Sequence, residues 1–85
     1  MPTDDVKLTR ARRAVLMGLY EGRELARSSG GFWWRDDMQN GWVQSNTVSW
    51  LSRHGWLTVR TGFPLTAALT PSGRALAERL AKEGR

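Results

Sequence analysis

The stretch from Gln44 to Ala81 carries its own punctuation, and that punctuation leaves few ways to fold. Gln44 or Ser45 opens a helix that ends at His54, because Gly55 follows as a left-handed stop. Val48 and Leu51 of this helix face inward, and Trp50 sits at the margin of that face. Trp56-Leu57-Thr58-Val59-Arg60 alternates and is rich in strand formers. Thr61-Gly62-Phe63-Pro64 reads as a turn, and Leu65–Leu69 as the returning strand. Thr70 caps a last helix whose first position is Pro71, where a missing N–H costs nothing. Leu76, Leu80 and the alanines at 75, 77 and 81 supply its buried stripe. This half of the chain reads helix, hairpin, helix.

The first half is less orderly. Thr9 caps a helix running to about Tyr20, with Val15, Leu16, Leu19 and Tyr20 on one face. Arg10, Arg12 and Arg13 lie away from that stripe, and Gly22 marks the stop. Residues 23–42 admit two readings. Ser28-Ser29-Gly30-Gly31 is a turn signal, and the aromatic run Phe32-Trp33-Trp34 suits a strand, which favours a hairpin with arms Arg23–Arg27 and Phe32–Arg35. The alternative is a short second helix within Arg35–Asn40, with Asp36-Asp37 as its cap.

Eighty-five residues suffice for one domain, read here as residues 9–85 behind a flexible leader over 1–8. The chain is 40% hydrophobic and 25% charged, as folded domains are. Five tryptophans add bulk to a small core, each able to bury on the order of 150–250 Å². With no cysteine, neither a disulfide framework nor a thiolate metal site is available. The longest apolar run, Ala14 to Met17, is far short of the roughly 20 residues of a membrane span. The polar, acidic N-terminus does not read as a secretory signal, so a cytoplasmic, nucleoid-associated protein is expected.

Charge is the most useful functional signal. Thirteen Lys and Arg stand against eight Asp and Glu, a net charge of +5, and eleven of the thirteen are arginine. Arginine has the forked geometry that suits phosphate and guanine. No acidic residue occurs between Asp37 and Glu78, and Arg53, Arg60 and Arg74 are the formal charges in that window.

Two segments resemble a known family. Val43-Gln-Ser-Asn-Thr47-Val48-Ser-Trp-Leu51-Ser-Arg-His-Gly55-Trp-Leu57 is similar to the recognition helix and strand entry of winged-helix regulators, with their pattern V-S-x-x-T-V-x-x-L-x-x-x-G-L-V. Leu69-Thr70-Pro71-Ser72-Gly73-Arg74-Ala75-Leu76 resembles the L-T-x-x-G-R-x-L segment after the wing of MarR-type regulators and of short phage-like winged-helix proteins. Gln44 stands where the family places a capping Ser, Trp56 replaces a common Leu, and the long flanking helices of MarR-type dimers are missing. The resemblance implies an α+β winged helix, three helices with a hairpin wing, and an extra hairpin in place of the second helix if residues 23–42 pair.

The resemblance also implies double-stranded DNA binding by a small regulator or phage-related accessory factor. Residues 45–54 would enter the major groove, and the wing over 58–67 would lie on the backbone or minor groove. The outward positions are Ser45, Asn46, Ser49 and Arg53, with Gln44 at the entry. Arg60 and Thr61 are candidate wing contacts, and Arg10, Arg12 and Arg13 candidate phosphate contacts. A rival reading makes the chain a protein-binding winged helix whose exposed member of the Trp33/Trp34 pair meets a homodimer or regulatory partner. Trp50 and Trp56 read as core bulk, and His54 as a helix-end residue favoured by the dipole. No nucleophile-and-base pattern, phosphate loop or metal-ligand spacing is present. The expectation is a binding protein, with no enzyme activity, cofactor or metal.

Overall fold

The structure is a computed structural model describing residues 8–28, 30–37 and 40–83. The expected leader therefore lies, Leu8 apart, outside the described residues. In chain order the elements are α1 (Arg10–Tyr20), β1 (Leu25–Ser28), β2 (Gly31–Trp34), β3 (Trp42–Gln44), α2 (Ser45–Arg53), β4 (Leu57–Arg60), β5 (Thr66–Leu69) and α3 (Pro71–Glu83). Among the described residues, three helices thus accompany one antiparallel five-stranded sheet of order β3-β2-β1-β5-β4. This is an α+β fold.

Local chemistry sets the helix ends. The Thr9 hydroxyl accepts from the Arg12 N–H at 3.2 Å, satisfying a donor that the first turn leaves free. Thr70 does the same for α3, accepting from Gly73 N–H at 3.0 Å. Pro71 takes the first helical position, as expected. Gly55, with φ +80°, ends the turn after α2, and the following Trp56 N–H donates back to the Leu51 carbonyl.

The hairpin reading of residues 23–42 matches the structure, with the arms shifted to Leu25–Ser28 and Gly31–Trp34. No helix occurs between Arg35 and Asn40 among the described residues. The sequence did not disclose β3, a three-residue strand that pairs Gly31↔Gln44, Phe32↔Val43 and Trp33↔Trp42. The β4–β5 hairpin begins and resumes one residue later than expected, at Leu57 and Thr66.

Strand alternation divides the sheet into two faces. On one, Leu25, Phe32, Trp34, Leu57 and Ala67 join Val15 and Leu16 of α1, Val48 and Leu51 of α2, and Leu76, Ala77 and Leu80 of α3 in a single core. The other face carries a cross-strand row, Arg60–Thr66–Ala26–Trp33–Trp42. The expected stripe of α3 needs one correction. Ala75 is exposed, and Gly73 takes a buried place one turn earlier on that side. Among the described residues, no helix is long and apolar enough to cross a membrane.

Candidate nucleic-acid interface

The register brings three chain segments to one end of the sheet. Gln44, the last residue of β3, pairs with Gly31, so α2 starts beside the β1–β2 turn. Arg27 N–H donates to the Leu65 carbonyl at 2.7 Å, which places the β4–β5 tip at that same end. From there α2 runs back over the core face. Its apolar side, Val48 and Leu51, is buried, while Asn46, Ser49, Ser52 and Arg53 stay exposed. The Gln44 side chain makes no capping hydrogen bond, which leaves the first-turn N–H groups of α2 without that partner.

Between α2 and the neighbouring strands runs an open groove. Ser45, Asn46, Ser49, Ser52 and Arg53 form one wall, Arg27 and Val59 the other, with Phe32 and Val48 beneath. Arg27 stands here because it lies two residues after buried Leu25 and pairs with Phe32, on the helix side of the sheet. The groove's charged groups are Arg27 and Arg53. No ion pair involves either among the described residues.

The carboxylates gather elsewhere. Glu21, Glu24, Asp36 and Asp37 all lie where β1 begins and β2 ends, opposite the start of α2. There the Arg23 guanidinium forks onto Asp36, with Nη2 to Oδ1 at 2.9 Å and Nε to Oδ2 at 3.0 Å. This hydrogen bonding holds the Asp36 carboxyl below its ordinary value, and the same bond raises the Arg23 value. The Arg23 guanidinium also lies 4.4 Å from the Trp34 ring centroid. Arg35 pairs with Glu24 at 3.6 Å. Glu78 lies beside Tyr20, near the end of α1. Among the described residues these carboxylates therefore lie away from the groove, with Asp36 and Glu24 engaged by Arg23 and Arg35.

Of the residues singled out in the sequence, Ser45, Asn46, Ser49 and Arg53 come together in the groove, with exposed Gln44 at its entrance. Arg60 does not join them. Alternation sets it on the sheet face away from α2, while its neighbour Val59 takes the groove side. Thr61 is exposed on the connection to the tip. Arg10 and Arg13 are exposed on α1, whereas Arg12 is half-buried with its guanidinium 3.7 Å from the Trp50 ring centroid. His54 continues that stack 3.9 Å from Trp50, and its Nδ1 donates to the Trp50 carbonyl at 2.9 Å.

The tryptophans needed more than the sequence. Trp34 is only 6% exposed and belongs to the core, so it cannot serve as a partner surface. Trp33 is half-buried, and Trp42, its cross-strand partner, is the exposed member at 44%. Three residues that matter for the surface were not singled out: Arg27, Trp42 and Phe63. The alternation Leu25, Arg27 held a signal for the first, once the strand was known. Phe63 had one in the turn read over residues 61–64, whereas Trp42 had none without register. No known protein family, curated protein or solved structure matches the chain.

Proposed function

We propose that the chain is a winged helix that binds double-stranded DNA, with α2 in the major groove and the β4–β5 hairpin as the wing beside it. The observation that carries this reading is the groove along α2, where Asn46, Ser49 and Arg53 line up opposite Arg27 with no carboxylate among the described lining residues. Asn suits the adenine edge and Arg the guanine edge, while Ser is tolerant. The start of α2, where Gln44 makes no side-chain cap, favours a phosphate oxygen. The element order after residue 44 agrees with the resemblance noted above, and the β1–β2 hairpin with β3 stands where a helix-turn-helix has its first helix.

A single module of this kind covers about 600–1,000 Å² on DNA, so modest affinity and steep salt dependence are expected. The test is a salt-titrated binding assay on random duplex and single-stranded DNA. The duplex should bind more tightly, and Asn46→Ala with Arg53→Ala should abolish that preference. A flat response on the duplex at low salt would remove the reading.

A second reading rests on a separate observation. Trp42, beside half-buried Trp33, offers an aromatic pair on the sheet face away from the helices. Such a pair suits a protein partner, and aromatics concentrate at interface centres. Under that reading Trp42→Ala abolishes partner binding, and the α2 substitutions leave it intact.

A further inference from the structure

Phe63 is the most exposed large apolar side chain among the described residues, fully exposed where Trp42 is 44% and Val59 37%. It takes no part in the core, and Gly62 and Pro64 flank it at the tip of the β4–β5 hairpin. Its position is more telling than its exposure. The hydrogen bond from Arg27 to Leu65 ties the tip to the end of the sheet where α2 begins. Arg27, on the α2 face, and Arg60, on the opposite face, are the charged residues of the strands at that end, while Glu21, Glu24, Asp36 and Asp37 lie at the other beside Arg23 and Arg35. An apolar ring on a cationic projection suits a polyanion with an apolar interior, which describes stacked base pairs.

We infer that Phe63 is a wedge that enters between two base pairs of a duplex held along α2 and kinks it. The inference rests on the duplex-binding reading and adds a deformation to it. Apolar side chains inserted at a base step unstack it partly and bend the helix axis by roughly 20–90°. Ring burial offsets the lost stacking, and the bend brings more phosphate towards the cationic end. The flexible steps TA and CA/TG would be favoured, because they unstack most readily. Sequence preference would then come partly from a position that no hydrogen bond reads.

The test is ligase-driven circularisation of a duplex of about 100 base pairs, shorter than the persistence length of about 150. A gel shift on the same DNA reports occupancy. Wild-type protein at saturation should raise the ring yield several-fold. Phe63→Ala, saturating by gel shift, should leave the yield at the level of DNA alone, and Phe63→Leu should restore most of it. Phe63 packs against nothing in the core, so both variants keep the fold, as circular dichroism would verify. Wild-type ring yields from saturating Phe63→Ala, or wild-type protein bound without rings, would overturn the wedge alone. Absence of any gel shift with wild type would overturn duplex binding and the wedge together.

Discussion

Gly73, in the first turn of α3, lies against the carbonyl oxygen of Trp56 with no room for a methyl group between them. The same carbonyl accepts from the Thr70 N–H at 3.3 Å, so the start of α3 is tied to the start of the returning chain after α2. Both sides of the contact are backbone, and no flexible side chain can give way. Gly73→Ala should therefore destabilise the fold by about 1–3 kcal/mol, as overpacked sites do. For a domain of this size that lowers Tm by about 4–8 °C for each kcal/mol. An unchanged thermal melt would mean that α3 is not seated on Trp56.

Thr70 closes the same junction with its hydroxyl. The oxygen accepts from Gly73 N–H and the proton goes to the Gly55 carbonyl at 2.6 Å, linking the α3 cap to the stop of α2. Thr70→Val keeps the volume and loses both bonds. The expected loss is about 1–2 kcal/mol, that of a strong helix cap. Thr70→Ser should recover most of it in urea unfolding. A stable Val variant beside a destabilised Ser variant would assign the effect to packing of the methyl group instead.

The Arg23–Asp36 fork gives the fold an acid-sensitive contact. Asp36 has its folded value depressed below the ordinary 3.8 by the Arg23 hydrogen bonds. Its contribution is therefore fully present above that value and disappears as pH falls through the depressed one. Arg23→Gln should move the Asp36 carboxyl midpoint upward, read by carbon NMR titration. The gap in urea midpoint between wild type and Asp36→Asn should narrow as pH drops below 3.8. A carboxyl midpoint that does not move in Arg23→Gln would show that the fork does not persist in solution.

Helix limits were legible in the sequence because their causes are local. Thr9, Gly55, Thr70 and Pro71 each act within a few residues, and the structure places every one at the boundary expected of it. The hairpin at 25–34 was legible from turn residues and aromatics, while three-residue β3 was too short to leave a pattern. Long-range register was hidden, and with it the surface. Alternation alone sends Trp33 and Trp34 to opposite faces, but their pairing with Trp42 and Leu25 was needed to say that Trp34 is the one in the core. Arg60 read as a wing contact, and one step of alternation places it on the sheet face away from α2. The α2 side of the candidate groove was readable from helical spacing, whereas its opposite wall, Arg27 and Val59, needed the sheet.

Arg27 and Arg35 offer a controlled comparison, since each is an exposed arginine on or beside the β1–β2 hairpin. Replacing either by Ala removes one positive charge, so any effect of net charge alone is the same for both. Arg27 borders the groove at the end where α2 begins. Arg35 lies at the carboxylate end, paired with Glu24. Arg27 is without an ion pair among the described residues and Arg35 is engaged by Glu24, so Arg27 is the one whose charge a bound phosphate along α2 meets. Arg27→Ala should flatten the dependence of log K on log salt for random duplex by about one unit. Arg35→Ala should leave the slope unchanged and, by freeing Glu24, weaken binding slightly at most. Equal slopes for the two variants would show that the duplex, if it binds, does not lie along α2.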